Sequence, residues 1–229
     1  MNPRTFPRTE DGTPDATRTV PQQCTSREKF KPVGATPKGQ ERIEVLLDIG
    51  CAIVTAQSLA DLTLRNIART AGMRLSNVQH YFPTQIDLLR AVIAAMIGRF
   101  EQAAAAHLAK AKVISPRSAF IEICRYYLQL NRQRSVRALF FDLGALAQRD
   151  AVVRQLLREA YQPYRAHFDP LIEQLNPTLS KTERAHRVDF LTAAIEGSMY
   201  VSDTVETTSR AEMAAEKRFL TYLLQIATL

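Results

Sequence analysis

Leu62-Thr63-Leu64-Arg65-Asn66-Ile67-Ala68-Arg69-Thr70-Ala71-Gly72-Met73-Arg74-Leu75-Ser76-Asn77-Val78-Gln79-His80-Tyr81-Phe82 is the stretch on which the fold turns. Thr63 is an N-cap residue, and Leu64, Ile67, Ala68 and Ala71 fall on one side of the short helix it opens. Gly72 ends that helix, because glycine takes the positive φ of a C-cap without a Cβ penalty. A second short helix starts at Leu75, with Leu75, Val78 and Phe82 spaced to face inward. Arg74, Ser76, Asn77, Gln79 and His80 then form its polar outer face. Two short helices joined by a glycine turn, the second polar on its outside, read as a helix-turn-helix whose second helix enters the DNA major groove.

Working outward, Thr36-Pro37 supplies an N-cap and first-turn pair for a helix reaching about Gln57, with Ile43, Leu46, Leu47, Ile53 and Val54 as its apolar stripe. Downstream, Thr84-Gln85-Ile86-Asp87 has capping-box spacing and opens a helix of nearly 30 residues to about Lys112, its stripe formed by Leu88, Leu89, Val92, Ile93, Met96 and Phe100. A helix that long belongs to two domains at once. The stretch Glu41–Gly98, with its Thr-Leu-Arg-Asn-Ile-Ala, Ala-Gly-Met and His-Tyr-Phe motifs and Asp87-Leu88-Leu89, resembles the DNA-binding domain of the tetracycline-repressor (TetR) family.

Composition sets limits on the rest. The chain has 229 residues, 46% apolar, with a formal net charge of +7, enough for a small domain and a medium one with real cores. The positive charge suits an anionic partner, yet residues 38–82 hold five Lys or Arg against four acids, whereas residues 117–165 hold nine Arg against four. Basic excess therefore does not mark the helix-turn-helix. Cys24, Cys51 and Cys124 are too few and too far apart for a disulfide framework or a metal site, and read as free thiols in a reducing cytoplasm. No apolar run approaches the ~18 residues of a membrane span. Residues 1–35, rich in Pro, Thr and Arg, read as a disordered N-terminal arm: a solvated tail, or an arm that follows the DNA backbone.

Three segments follow from this reading: the arm 1–35, a DNA-binding domain 36–82 and a helical ligand-binding and dimerisation domain 83–229, with helix 84–112 joining the last two. After Ser115-Pro116 the chain is expected to be helical near 116–131, 134–148, 150–175, 180–205 and 209–228, the last two opened by capping boxes at Ser180–Glu183 and Ser209–Glu212. Sustained period-two alternation is lacking, so the expected class is all-α with about nine helices. Pro163 and Pro170 interrupt the helix over 150–175, which should kink or break near Tyr161–Phe168. Gaps beside a bent helix are places where small-molecule pockets form.

The resemblance implies a homodimer whose two readers occupy successive major grooves of a double-stranded, pseudo-palindromic operator, and an inducer cavity between the helices of the C-terminal domain. Carried onto this chain, it assigns the DNA face to Thr63, Arg65, Arg74, Leu75, Ser76, Asn77, Gln79, His80, Tyr81, Thr84 and Gln85. Candidate cavity residues are Tyr126, Tyr127, Phe141, Tyr161, Tyr164, His167, Phe168 and Tyr200, although each aromatic alone also reads as core packing. The dimer seam is assigned to Ala193, Gly197 and Val201 on the penultimate helix and Leu220, Leu223 and Leu224 on the last. Glu196 lies among apolar turns and, if buried, needs a partner, which the Arg-rich helices of residues 117–165 could supply. His107 and His186 read as surface residues.

The chain departs from the family pattern at four positions: Arg74 where a Ser is usual, Gln79 for a phosphate-contacting Tyr, Gln85 for a Lys, and Ser58 for a Gly. Gln85 is accordingly expected to be a weakened phosphate clamp. The residues contain no nucleophile and base pair, glycine-rich phosphate loop or metal-ligand spacing, so neither an enzyme nor a cofactor is expected. The expected function is a ligand-released repressor in the cytoplasm, without membrane attachment. The alternative is an all-α ligand carrier or interaction module whose helix-turn-helix is structural.

Overall fold

The computed structural model describes residues 36–111, 115–201 and 209–229. All regular elements among them are helical: α1 (Pro37–Ala56), α2 (Leu64–Thr70), α3 (Leu75–Tyr81), α4 (Gln85–Lys110), α5 (Pro116–Asn131), α6 (Arg134–Ala147), α7 (Ala151–Ala160), α8 (Gln162–Leu175), α9 (Lys181–Val201) and α10 (Ser209–Thr228), with a 3-10 turn at Leu59–Asp61. The fold is all-α, as expected. The arm over 1–35, the last residue expected of helix 84–112 and the stretch 202–205 lie outside the described residues.

Local chemistry explains most of the helix starts. Thr36 Oγ1 accepts from Gly39 N at 3.2 Å, with Pro37 in the first turn, where its missing N–H costs nothing. Thr84 and Asp87 form both bonds of a capping box at the start of α4. Ser115 does the same at α5, with Ser118 in the reciprocal role. At α9 only half of the expected box is made. Ser180 Oγ accepts from Glu183 N at 3.1 Å, while the Glu183 carboxylate turns to Arg187 Nε at 3.1 Å. The box at Ser209–Glu212 involves side chains outside the described set.

The helix expected over 150–175 divides at Tyr161, where φ is −91° and ψ is −1°. Pro163 sits in the first turn of α8, where no intrahelical N–H is required, so the break falls just ahead of it. Pro170 lies inside α8 and is exposed, and the helix runs on past it to Leu175.

The long helix α4 packs against α1 on one side and against α5 and α7 on the other. At the α1 contact a Cβ built on Gly50 would lie 2.5 Å from Val92 Cγ2, so only glycine allows the helices this close. Helix α6 also packs on α1 and on the 3-10 turn, a second link between the helix-turn-helix and the C-terminal helices. The larger core lies among α5, α8, α9 and α10, with Phe120, Ile123, Phe168, Ile172, Leu191, Ile195 and Leu223 fully buried. Cys51 and Cys124 are buried free thiols, and burial pushes both upward from the ordinary cysteine range, so both are inert at neutral pH.

Three of the residues assigned to a dimer seam belong to this core instead. Leu220, Leu223 and Leu224 are 7%, 0% and 6% exposed and point toward α5 and α9. Periodicity locates an apolar stripe on a helix without saying which neighbour covers it. Ala193, Gly197 and Val201 are exposed.

Candidate functional site: a DNA-reading face and an aromatic cavity

The turn between α2 and α3 is built by backbone bonds. Gly72 has φ of +63°, Met73 N donates to Ala68 O at 2.9 Å and Gly72 N to Arg69 O at 3.3 Å. That bond pair is a Schellman termination, and it sets the angle at which α3 leaves α2. Thr63 Oγ1 caps α2 by accepting from Asn66 N at 3.1 Å. Val78 and Phe82, both fully buried, hold α3 from below.

Above that anchor Arg74, Ser76, Asn77, Gln79 and His80 are all exposed on α3. Tyr81 is half-buried, its ring edge against His80 with centroids 5.2 Å apart. Leu75 is also half-buried, so it contributes an apolar edge to this face. Thr63 and Arg65 border an open groove of about 430 Å³ on α2, together with Asn66 and Arg69. Asn66 Oδ1 accepts from Arg69 Nη2 at 2.6 Å and its amide donates to Asp61 O at 2.9 Å, which ties the 3-10 turn to α2.

Gln85 has a different place from the one expected of a phosphate clamp. Its Oε1 accepts from Leu64 N at 3.2 Å, and its Nε2 donates to Leu62 O. The side chain therefore fastens the first turn of α4 to the first turn of α2. Both ends of the amide are used, and a Lys, with no acceptor, could make only one of these bonds. The sequence offered no signal for this contact, because 21 positions separate the partners.

In the C-terminal helices, five of the eight candidate aromatic and histidine positions converge. Tyr127 stacks on Tyr164 with centroids 4.0 Å apart, Tyr161 and Phe168 lie beside Tyr164, and Tyr127 Oη is 2.9 Å from His167 Nδ1. Tyr126 sits at the edge of this group, its hydroxyl donating to Phe100 O at 2.6 Å. Burial pushes the Tyr126 hydroxyl up to about 12 and the other three tyrosines up as well, so all stay protonated donors. Phe141 and Tyr200 do not join them. They stack on each other at 4.6 Å with Tyr200 68% exposed, which removes both from the cavity.

The group centres on a residue read from the sequence as an ion-pair partner. Glu196 Oε1 accepts from Tyr164 Oη at 2.5 Å and from Asn131 Nδ2 at 3.3 Å, and Oε2 from Tyr161 Oη at 2.9 Å. Burial raises the carboxyl above the usual range, while the three hydrogen bonds pull it back. The partners are thus tyrosines and an asparagine. Two arginines of the basic segment go elsewhere, Arg125 and Arg132 reaching Glu216 on α10 at 3.5 and 3.0 Å. His107 likewise is not a free surface residue, since its Nε2 lies 3.0 Å from Glu122 Oε2. His186 is exposed.

Next to this cluster is a small cavity of about 20 Å³, lined by Ile97, Phe100 and Glu101 of α4, by Tyr127, Leu130 and Asn131 of α5, and by Phe140, Ala160, Pro163 and Tyr164. It lies where the α7–α8 break meets α4. Sequence reasoning found the break but missed the α4 wall, because Ile97 and Phe100 look like any other apolar stripe. Among the described residues no group of His, Cys, Asp or Glu could hold a metal ion, and no helix is long and apolar enough to cross a membrane.

A scan against protein-family models finds no match. The chain is 27% identical over 156 residues, 65% of its own length and 72% of the other's, to an HTH-type transcriptional regulator in the dhlA 5' region of Xanthobacter autotrophicus. It is similar in structure to a protein from Saccharomonospora viridis described as a transcriptional regulator in complex with choline, with a TM-score of 0.61, 14% identity, and coverage of 81% of this chain and 95% of that one. It is also similar to the multidrug binding protein EbrR complexed with proflavin, with a TM-score of 0.56, 20% identity, and coverage of 81% and 99%. The first two of these proteins are described as transcriptional regulators. In fold, the chain is similar to these helix-turn-helix regulators, the architecture that the resemblance of its motifs implied.

Proposed function

We propose that the protein is a DNA-binding transcriptional repressor that holds a pseudo-palindromic operator as a homodimer and leaves it when a small molecule enters the C-terminal helices. The observation that carries this reading is the exposed polar face of α3, held on a Schellman turn and a buried Val78–Phe82 anchor. Arg and Asn side chains presented this way suit guanine O6/N7 and adenine N6/N7. In a dimer the two readers would stand about 34–36 Å apart, one turn of the duplex.

Dimerisation is assigned to the outward face of α9 and α10. Phe190 and Tyr200 are 69% and 68% exposed on α9, in line with Ala193 and Gly197, and Tyr222 is 60% exposed on the side of α10 opposite its buried leucines. A Cβ built on Gly197 meets nothing within 4 Å in the monomer, so the glycine has no packing reason there; a second helix closing on it supplies one. The neighbours crystallised with choline and with proflavin support a small-molecule effector. Entry of the effector would shift α4, which lines the cavity at Ile97–Glu101 and fastens α2 through Gln85, roughly 18 Å further along at 1.5 Å per residue. The shift in DNA affinity can be no larger than the difference in effector affinity between the two arrangements.

A mobility-shift titration with the DNA upstream of the protein's own gene tests the reading, with sedimentation of the complex to count subunits. Retarded, sequence-selective complexes with two subunits are expected. A monomer that ignores this DNA would favour the ligand-carrier alternative.

A further inference from the structure

Glu196 is half-buried, and its carboxylate receives three hydrogen bonds from neutral groups, the hydroxyls of Tyr161 and Tyr164 and the Asn131 amide. Neutral donors satisfy a carboxylate's lone pairs but leave its charge uncompensated, which is costly away from water. The adjacent cavity carries a second acid, Glu101, on the α4 wall, and no Lys or Arg lines it among the described residues. Four of the other nine lining residues are aromatic, the stacked Tyr127–Tyr164 pair, Phe100 and Phe140. Aromatic faces attract cations, and the attraction grows when water is excluded. Carboxylates behind π-faces with no resident cation form a site that repels anions and gives neutral molecules no charge partner.

We propose that this cavity takes a compact organic cation, a quaternary or substituted ammonium, with its charge between Glu101 and Glu196 and its alkyl groups against Tyr127, Tyr164, Phe100 and Phe140. The inference deepens the ligand-responsive reading above by naming the effector's chemical class, and it rests on that reading for its regulatory meaning. At about 20 Å³ the cavity holds little more than a water molecule, so the cation enters by widening it. The wall that gives way is the α7–α8 junction, which contributes Ala160, Pro163 and Tyr164 and is already interrupted at Tyr161. The opposite wall is α4, so widening presses on the helix that bears Gln85.

The test is calorimetric titration of the full chain, without DNA, with butyltrimethylammonium, hexan-1-ol and heptanoate, three probes of similar length and different charge. Wild type is expected to bind the cation at least tenfold more tightly than either of the others. Glu196→Gln should weaken cation binding about tenfold or more while leaving hexan-1-ol unchanged. Glu101→Gln, at an exposed position where folding is not at stake, should weaken it severalfold. Preference for hexan-1-ol or heptanoate, no binding of the cation, or indifference to both substitutions overturns the proposal, even if the protein binds DNA and another ligand releases it. Cation binding with the expected losses upholds the site even if no operator is found, so the two readings fail separately.

Discussion

The helix-turn-helix and the C-terminal bundle are both built from short amphipathic helices, but they are specified over different distances. In the reader, nearly every decisive contact is local: Thr63 to Asn66, Gly72 to Arg69, Met73 to Ala68, with Val78 and Phe82 beneath. In the bundle the decisive contacts bridge tens of residues, as when Glu196 meets Tyr161, Tyr164 and Asn131, or Arg132 meets Glu216. A locally determined unit can be read from a window of 20 residues. A non-local one shows only that helices exist and which stripe on each is apolar. Gln85 is the exception in the reader, a long-range contact hidden within a local motif.

The sharpest way to break this contrast is on α10, where of two adjacent residues one is buried and the other exposed. Leu223→Glu buries a carboxylate in the monomer core at a cost of several kcal/mol, so the variant should lose its cooperative thermal transition. Tyr222→Glu, on the exposed side, should keep a cooperative thermal transition and sediment as a monomer. A folded, monomeric Leu223→Glu protein would return the leucine to the subunit seam and undo the core assignment.

Gln85→Ala removes two hydrogen bonds between α4 and α2, worth about 2 kcal/mol together at the usual ~1 kcal/mol each. Chemical denaturation should show that loss, and DNA affinity should fall with it, because α2 is no longer held to α4. Gln85→Lys distinguishes the clamp from the phosphate role. If the clamp dominates, Lys weakens binding despite its added charge. If the side chain instead faces the DNA backbone, affinity rises and log K falls more steeply with log salt, by about 1.8 for two added contacts.

Arg74→Ala sharpens the picture of the face itself. A base-reading arginine should give up about 1–3 kcal/mol of discrimination at one position per half-site, seen in a binding-site selection experiment. Uniform weakening over all sequences would assign Arg74 to phosphate.

The smallest effect is the pH dependence of Glu196. Its folded-state value lies above the ordinary 4.5, so the folded protein holds this proton more tightly than the unfolded chain does. Its stabilising contribution is therefore complete below the unfolded value and is lost as pH rises through the folded one. Facing it are Tyr161, Tyr164 and Asn131, with Tyr127 close by; the tyrosines stay neutral over that range. His167, pushed down by burial, acts in the opposite direction just below pH 6.5 but is common to both proteins. Subtracting wild-type from Glu196→Gln melting temperatures at each pH should give a difference that moves in the variant's favour from about pH 4.5 upward. A flat difference would mean that Glu196 is not desolvated.

Cap residues, the turn glycine, the apolar periodicity and the proline pair were enough to establish the helical class, the helix-turn-helix, the start of α4 and a break near Tyr161, because each acts within a turn or two of its own position. The convergence of Tyr127, Tyr161, Tyr164, His167 and Phe168 was legible as a set of candidates, since α5 carries the first and the others follow one another at helical spacing from the α7–α8 junction along α8. Tertiary structure alone decided the remainder. It turned the leucines of α10 inward and left Phe190 and Tyr200 of α9 outside, paired Phe141 with Tyr200 away from the cavity, gave Glu196 tyrosines instead of arginines, and spent the Gln85 amide on α2. The reason is physical: a helical stripe specifies that a face must be covered, whereas the partner that covers it, or that satisfies a buried carboxylate, is set by how distant helices pack in three dimensions.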